Sequence, residues 1–138
     1  FHDHTLRIRY AETDQMGVVH NAVYPVWFEI GRTEYSHARG FAYAKMEEAG
    51  YALAVAEMLV RYKRPARYDD MVTVRTWISK SKSKLIEFSY SVRKADDDTL
   101  LATGKSVHIS IDFETFRPTP LPAEIRKHFP VWDSPTEV

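Results

Sequence analysis

Four runs of residues after Gly50 alternate between apolar and polar side chains, and only short turn signals separate them. The runs occupy residues 53–63, 72–78, 86–92 and 101–113. The breaks carry turn-forming residues such as Pro65 and the "ADDD" stretch. A period of two residues predicts half-buried strands, and connections this short favour antiparallel neighbours.

One earlier segment has the period of a helix. Its apolar residues recur at helical spacing: Tyr24, Trp27, Phe28, Gly31, Tyr35 and Ala38. This broad apolar face suits a helix that packs on a sheet. Asn21 is a natural N-cap, Pro25 fits the first turn, and Gly40 marks the end. Gly31, inside the apolar face, predicts a close approach between the helix backbone and a sheet.

The remaining elements complete an α+β pattern. Residues 5–10 alternate and predict a first strand, with Leu6, Ile8 and Tyr10 on one face. Short helices are predicted at 42–49 and in "LPAEIRKHF", with Pro122 in its first turn. The order of elements therefore predicts an antiparallel sheet of five strands around one long helix, in a single domain over residues 1–138.

The composition narrows the function. Lys plus Arg and Asp plus Glu balance at 19 each in 138 residues, which argues against nucleic-acid binding. The chain has no cysteine, which excludes disulfides and thiolate catalysis and is compatible with the cytoplasm, where we expect the protein. No apolar run is long enough to span a membrane, and no signal-peptide pattern opens the chain. Because residue 1 is Phe, we expect a trimmed or incompletely covered N-terminus.

Asp14 is the first candidate catalytic residue, in the predicted loop before the long helix. The amides at a helix N-terminus carry partial positive charge and could polarise an acyl carbonyl. A carboxylate nearby could activate water or attack the carbonyl itself. Gly17 could let the loop turn tightly or approach a ligand. The alternative is that Asp14 only caps local amides, as loop aspartates often do.

His20 and Asn21 stand at the predicted helix entry. The Asn21 backbone N–H could be an oxyanion donor, with His20 lining the site. The alternative is a helix cap beside a structural histidine.

A second cluster of candidates is basic. Lys80, Lys82 and Lys84 share parity, so in a strand they project to one side and could hold phosphates with the intervening serines. A further basic group surrounds Pro65 and consists of Arg61, Lys63, Arg64 and Arg67. The alternative is a solvated hairpin end whose lysines protect a strand edge.

The other ionisable residues are interpreted as structural. Residues that we expect to be solvated or ion-paired are Glu29, Arg32, Glu34 and Arg39. The "HDH" stretch at residues 2–4 is too close to a terminus to predict a metal site. We interpret His108 as a sheet residue.

The stretch "RYAETDQMGVVHNAVYPVWFEIGRTEY" resembles the opening of hot-dog-fold acyl-CoA thioesterases of the 4-hydroxybenzoyl-CoA thioesterase type, and is most similar to the YbgC-like branch. The segments "VRYKRPARYDDMVTVRT" and "TFRPTPLPAEIRKHF" are also similar to that family. The resemblance covers about residues 5–129. It implies a sheet wrapped around the helix, dimers formed by joining sheets edge to edge, often a homotetramer, and active sites at the subunit interface.

The resemblance also implies roles for individual residues. Asp14 matches the catalytic carboxylate, and Asn21 matches the residue whose backbone N–H polarises the thioester carbonyl. Lys82, Ser83 and Lys84 match the position of basic residues that hold CoA phosphates, although a serine here replaces the middle basic residue. Tyr24 and Gly17 belong to the matching motif and are expected at the substrate. The implied substrate is an acyl-CoA, with no metal or redox cofactor.

Two other functions remain open at this stage. A hot-dog hydratase or dehydratase pairs a carboxylate with a histidine, and His20 near Asp14 fits that pattern. An acyl-CoA-binding module without turnover would not need Asp14. The sequence does not fix the acyl group, the number of subunits, or whether Asp14 acts as base or nucleophile.

Overall fold

The computed structural model describes residues 1–133, so the last five residues of the predicted 1–138 domain lie outside the described part. The strands are β1 His2–Arg7, β2 Tyr51–Tyr62, β3 Met71–Lys82, β4 Leu85–Lys94 and β5 Leu100–Asp112. The helices are α1 Val23–Ala38, α2 Tyr43–Glu48 and α3 Ala123–Arg126, with a 3-10 turn at Tyr10–Glu12. No helix within residues 1–133 is long and apolar enough to cross a membrane.

The five strands form one antiparallel sheet in the order β1-β3-β4-β5-β2. This confirms the predicted α+β arrangement of one sheet and one long helix. The apolar stripe of α1 faces the sheet, and its Trp27 and Phe28 are fully buried. β2 and β1 are the two outer strands.

Two glycines allow α1 to lie very close to the sheet. A Cβ added at Gly31 would collide with the Thr76 hydroxyl and press on Val74. Across the same interface, a Cβ at Gly104 of β5 would collide with the Phe28 ring. The predicted close approach at Gly31 is therefore confirmed.

The first strand ends earlier than the alternation predicts. β1 stops at Arg7, and Tyr10, which was expected on the buried face, is 78% exposed. The chain turns because Glu12 accepts a hydrogen bond from the Arg9 backbone N–H at 2.8 Å and closes the 3-10 turn. Alternation alone could not show this turn, since Arg9 and Tyr10 still fit a period of two.

The helix start is also displaced by one residue. The N-cap of α1 is Ala22 and not Asn21, and the Ala22 side chain makes no capping hydrogen bond. His20 takes the capping role instead, because the Nδ1 atom of its ring accepts the Ala22 N–H at 3.1 Å and its backbone carbonyl accepts the Val23 N–H at 3.0 Å. The predicted end at Gly40 is confirmed by a φ of +78° directly after the C-cap residue.

The interior contains a polar strip that the sequence analysis did not predict. The buried alternate residues of β5 are small or polar: Ala102, Gly104, Ser106, His108 and Ser110. Arg32 of α1 is 7% exposed and donates to the Tyr90 hydroxyl at 3.2 Å. The expectation of a solvated or ion-paired Arg32 is therefore wrong, because its helix face meets polar strand residues that accept the guanidinium.

Candidate active site

The loop that carries Asp14 is a tight two-stranded ribbon. Thr13 pairs with Val19, and the Asp14 N–H donates to the Val18 carbonyl at 2.9 Å. The Gly17 N–H closes the turn by donating to the Asp14 carbonyl at 3.0 Å. Gly17 has a φ of +80°, in the left-handed region that favours glycine. Its structural role is therefore the turn.

The Asp14 carboxylate is half-buried and only partly used by the loop. Its Oδ1 accepts the Met16 backbone N–H at 2.8 Å. Asp14 therefore does cap a local amide, as the structural alternative proposed. Among the hydrogen bonds of the described residues, none involves Oδ2, so one carboxylate oxygen stays available to a water molecule or a carbonyl group.

Glu12 connects this loop to α1, and the sequence analysis assigned it no role. Its side chain is 6% exposed, and its Oε2 accepts the Trp27 indole N–H at 3.0 Å. Its backbone carbonyl accepts the His20 N–H at 2.9 Å. The sequence carried a signal for this contact, because Trp27 lies on the apolar face of the predicted helix and a buried tryptophan requires an acceptor for its N–H. Glu12 fixes the ribbon, the helix entry and Trp27 relative to one another.

The helix entry leaves the Asn21 backbone donor free. The N–H groups of His20, Ala22 and Val23 are all hydrogen-bonded. The Asn21 N–H takes part in no hydrogen bond between described residues, and Asn21 is exposed. Because the Nδ1 atom of His20 accepts the Ala22 N–H, a neutral His20 carries its proton on Nε2. This free amide at the positive end of α1 can donate to an oxygen that gains negative charge.

Tyr24 lies beneath the helix entry and is 3% exposed. Its ring packs edge-on against Trp27 at 4.9 Å and Tyr62 at 5.1 Å, between centroids. Burial raises its pKa to about 12, with Tyr62 contributing, so its hydroxyl stays protonated. Tyr62 in turn donates to the Asn21 carbonyl at 2.9 Å.

A cavity of about 300 Å³ opens beside this entry, and we call it the Asn21 cavity. Its lining combines the helix entry with the basic end of β2: Val19, Asn21, Tyr24, Tyr62, Lys63, Arg64 and Pro65. Lys63 and Arg64 come from the basic group around Pro65 and are exposed. The lining therefore places two exposed cations beside the start of α1.

Lys82 ends β3, and Ser83 and Lys84 form the turn to β4; we call these three residues the Lys82–Lys84 turn, and within one chain they lie far from Asp14. The Asp14 ribbon contacts the segment just before β3, because Val18 pairs with Arg67 and the Val19 N–H donates to the Ala66 carbonyl. The turn stands at the other end of β3, a strand of 12 residues that spans roughly 40 Å at about 3.3 Å per residue. Arg126 of α3 donates to the Lys82 and Ser83 carbonyls and adds a cation there.

The "HDH" stretch at the N-terminus behaves as a strand. Asp3 forms a two-point ion pair with Arg75 at 2.8 and 3.0 Å. His2 and His4 have the opposite parity on β1, so they project to the other face. Within residues 1–133, no group of three His, Cys, Asp or Glu side chains is arranged to hold a metal ion.

Comparison with known proteins gives consistent matches over most of the chain. A family model described as the thioesterase-like superfamily matches residues 8–129. YneP of Bacillus subtilis is 38% identical over 133 residues, which cover 96% of this chain and 92% of YneP. The acyl-CoA thioester hydrolase YbgC of Escherichia coli is 31% identical over 124 residues, which cover 90% of this chain and 92% of YbgC.

Solved structures agree with these sequence matches. DHNA-CoA thioesterase from Staphylococcus aureus has a TM-score of 0.81 and 35% identity, over 86% of this chain and 79% of that chain.

Proposed function

The chain belongs to the thioesterase-like superfamily, and we propose that it hydrolyses the thioester of an acyl-CoA to a free acid and CoA. One observation carries the proposal. The Asp14 carboxylate keeps one oxygen free, and the ribbon that holds it leads directly to the unbonded Asn21 N–H at the start of α1. A carboxylate and an oxyanion donor together suffice for acyl hydrolysis.

In the proposed reaction, a water oxygen attacks the thioester carbonyl carbon while Asp14 accepts a proton from that water. The Asn21 N–H donates to the carbonyl oxygen as it gains negative charge. The C–S bond then breaks, CoA leaves as a thiolate, and the proton on Asp14 passes to the sulfur. Direct attack by Asp14 would form a mixed anhydride that water hydrolyses to the same products.

The proposed enzyme is a homo-oligomer in the cytoplasm, and its complete site needs two subunits. β2 is an outer strand with exposed apolar residues, including Val55 and Leu59. Antiparallel pairing of two β2 strands would place the Tyr51 end of one beside the Tyr62 end of the other. Tyr62 contacts Asn21, whereas the Lys82–Lys84 turn belongs to the Tyr51 end. Each turn would then face the partner's Asp14 loop.

The experiment that tests the activity is thiol release from a panel of short, long and aromatic acyl-CoAs. We expect Asp14→Asn to lower kcat/KM by roughly two orders of magnitude or more, whereas Asp96→Asn on the exposed β4–β5 turn should leave it unchanged. No thiol release from any acyl-CoA would overturn the proposal. Hydration of an enoyl-CoA without thiol release would instead identify a hydratase, and binding without turnover would identify a binding module.

A further inference from the structure

A second cavity, of about 270 Å³, lies between α1, α2, β2 and β5, and we call it the Arg32–His108 cavity. Its lining includes the buried Arg32, Met46 and His108 and the half-buried Tyr43. Neither the Asp14 ribbon nor the Asn21 N–H belongs to it. Its polarity is unusual for a space between a helix and a sheet, and the reaction described above does not use it.

A chain of hydrogen bonds links Arg32 to His108. Arg32 donates to the Tyr90 hydroxyl, which pairs with the Ser106 hydroxyl, and Ser106 pairs with the Nε2 atom of His108 at 2.7 Å. The direction that gives both hydroxyl protons an acceptor runs from Tyr90 to Ser106 to Nε2. A neutral ring with an accepting Nε2 carries its proton on Nδ1. This Nδ1–H is buried without a partner among the described residues.

The cavity also holds a cation that no carboxylate of residues 1–133 contacts directly. Arg32 forms no ion pair within 4.0 Å with any residue in 1–133. Burial opposes its charge, but Tyr90, Tyr43 and Glu29 outweigh burial and raise the pKa of Arg32, so the guanidinium stays charged. Among residues 1–133, the Tyr43 hydroxyl has no hydrogen-bond partner either. A buried, unpaired charge is costly, and an anionic ligand would compensate it.

We propose that this cavity receives the distal end of the acyl group and selects acyl-CoAs that carry a carboxylate there. Arg32, the His108 Nδ1–H and the Tyr43 hydroxyl all offer protons to one acceptor, which a carboxylate satisfies and a methyl group does not. Glu29 and Glu47 also line the cavity but are exposed to solvent, so water screens their repulsion. This inference rests on the proposed thioesterase function and names its substrate class.

The position of Arg32 sets the length of the acyl group. Arg32 is nine residues after Val23 on α1, so about 14 Å separates them at roughly 1.5 Å per residue. The Arg32 side chain leans back toward the start of the helix and shortens this distance. An acyl chain of medium length that runs along α1 would therefore reach from the Asn21 N–H to the cavity, which makes suberoyl-CoA a suitable probe and octanoyl-CoA its matched control.

The decisive measurement compares kcat/KM for suberoyl-CoA, octanoyl-CoA and 8-hydroxyoctanoyl-CoA. We expect suberoyl-CoA to exceed octanoyl-CoA by roughly tenfold or more, because octanoyl leaves the buried donors unpaired. The hydroxyl compound should fall between them. Equal or faster hydrolysis of octanoyl-CoA would overturn the cavity assignment and leave the thioesterase proposal intact.

Two variants test the residues themselves. Tyr43→Phe removes only an unpaired hydroxyl, so the fold should persist and the suberoyl preference should fall. Arg32→Gln should bring the ratio of kcat/KM for suberoyl-CoA to kcat/KM for octanoyl-CoA close to one, whereas the same change at the exposed Arg39 should preserve this ratio. An unchanged preference in both cavity variants would contradict the assignment.

Ligand binding separates the two proposals if no acyl-CoA is hydrolysed. Calorimetry with monomethyl suberate and methyl octanoate, which differ only in the distal carboxylate, should then detect monomethyl suberate alone, and Arg32→Gln should abolish its binding. Failure of monomethyl suberate to bind wild-type protein would overturn the cavity assignment as well.

Discussion

Glu12 is a single residue that joins three parts of the candidate site. Its carboxylate accepts the Arg9 backbone N–H and the Trp27 indole N–H, and its carbonyl accepts the His20 N–H. We expect Glu12→Gln to lower the free energy of unfolding by roughly 1–3 kcal/mol, because the amide group turns one buried acceptor into a second donor. Urea denaturation measures this, with Glu48→Gln on the exposed face of α2 as control. Equal stability of wild type and Glu12→Gln would contradict it.

His108 gives the molecule a predictable response to acid. Burial, aided by Arg32, lowers its pKa from an ordinary 6.5 to about 3. Between these values the unfolded chain binds a proton that the folded chain does not, so stability falls as the pH falls. The free energy of unfolding should drop by about 2 kcal/mol from pH 6.5 to pH 5. His108→Gln should flatten this dependence, and the exposed His37→Gln should not. A slope unaffected by His108→Gln would refute the assignment.

At the scale of elements, Gly31 sets the distance between α1 and the sheet. An added methyl group would collide with the Thr76 hydroxyl, which is buried and has no hydrogen-bond partner in the described part of the chain. We expect Gly31→Ala to destabilise the fold by roughly 1–3 kcal/mol, despite the better helix propensity of alanine. Thr76→Ala in the same chain should recover part of this loss, since it removes the colliding oxygen. Thermal and urea unfolding of the double-mutant cycle measure the coupling, and strictly additive effects would contradict the collision.

The elements themselves were largely predictable, because periodicity follows directly from which face is buried. Alternation identified all five strands, and the apolar stripe identified α1. The errors occur where a hydrogen bond to one side chain changes the backbone path that the sequence pattern predicts. Glu12 ends the first strand early, and the His20 ring takes the capping role expected of Asn21. Arg32 was misjudged because a sequence does not show that β5 presents its polar residues to the helix.

The candidate site was predictable only as far as it is local. Asp14, Gly17, His20 and Asn21 are neighbours in sequence, and one ribbon brings them together. Lys82, Ser83 and Lys84 stand at the far end of the sheet from them. A site that uses both groups, as we propose, would combine two subunits, and periodicity within one chain does not reveal such a pairing.

At the scale of the whole molecule, the distance between Asp14 and the Lys82–Lys84 turn leads to a quantitative prediction about mixed oligomers. Asp14→Asn and the double variant Lys82→Ala, Lys84→Ala should each be nearly inactive at low acyl-CoA concentration. If each site combines Asp14 of one subunit with the lysines of its partner, a mixed dimer contains one intact site and one doubly damaged site. Random reassociation of equal amounts of the two variants makes half of all dimers mixed. Because each mixed dimer has one intact site of two, about a quarter of wild-type activity should return.

The alternative geometry gives a different result in the same experiment. If Asp14 and the lysines of one chain served the same site, both sites of every mixed dimer would be damaged, and mixing would restore nothing. The two inactive proteins are unfolded together in urea, refolded together and assayed for thiol release, with each variant refolded alone as control. Native mass spectrometry verifies that mixed dimers form, so a failure to recover activity counts against the shared site and not against subunit exchange. Recovery near a quarter would instead require that the basic turn and the catalytic loop meet only across the subunit interface.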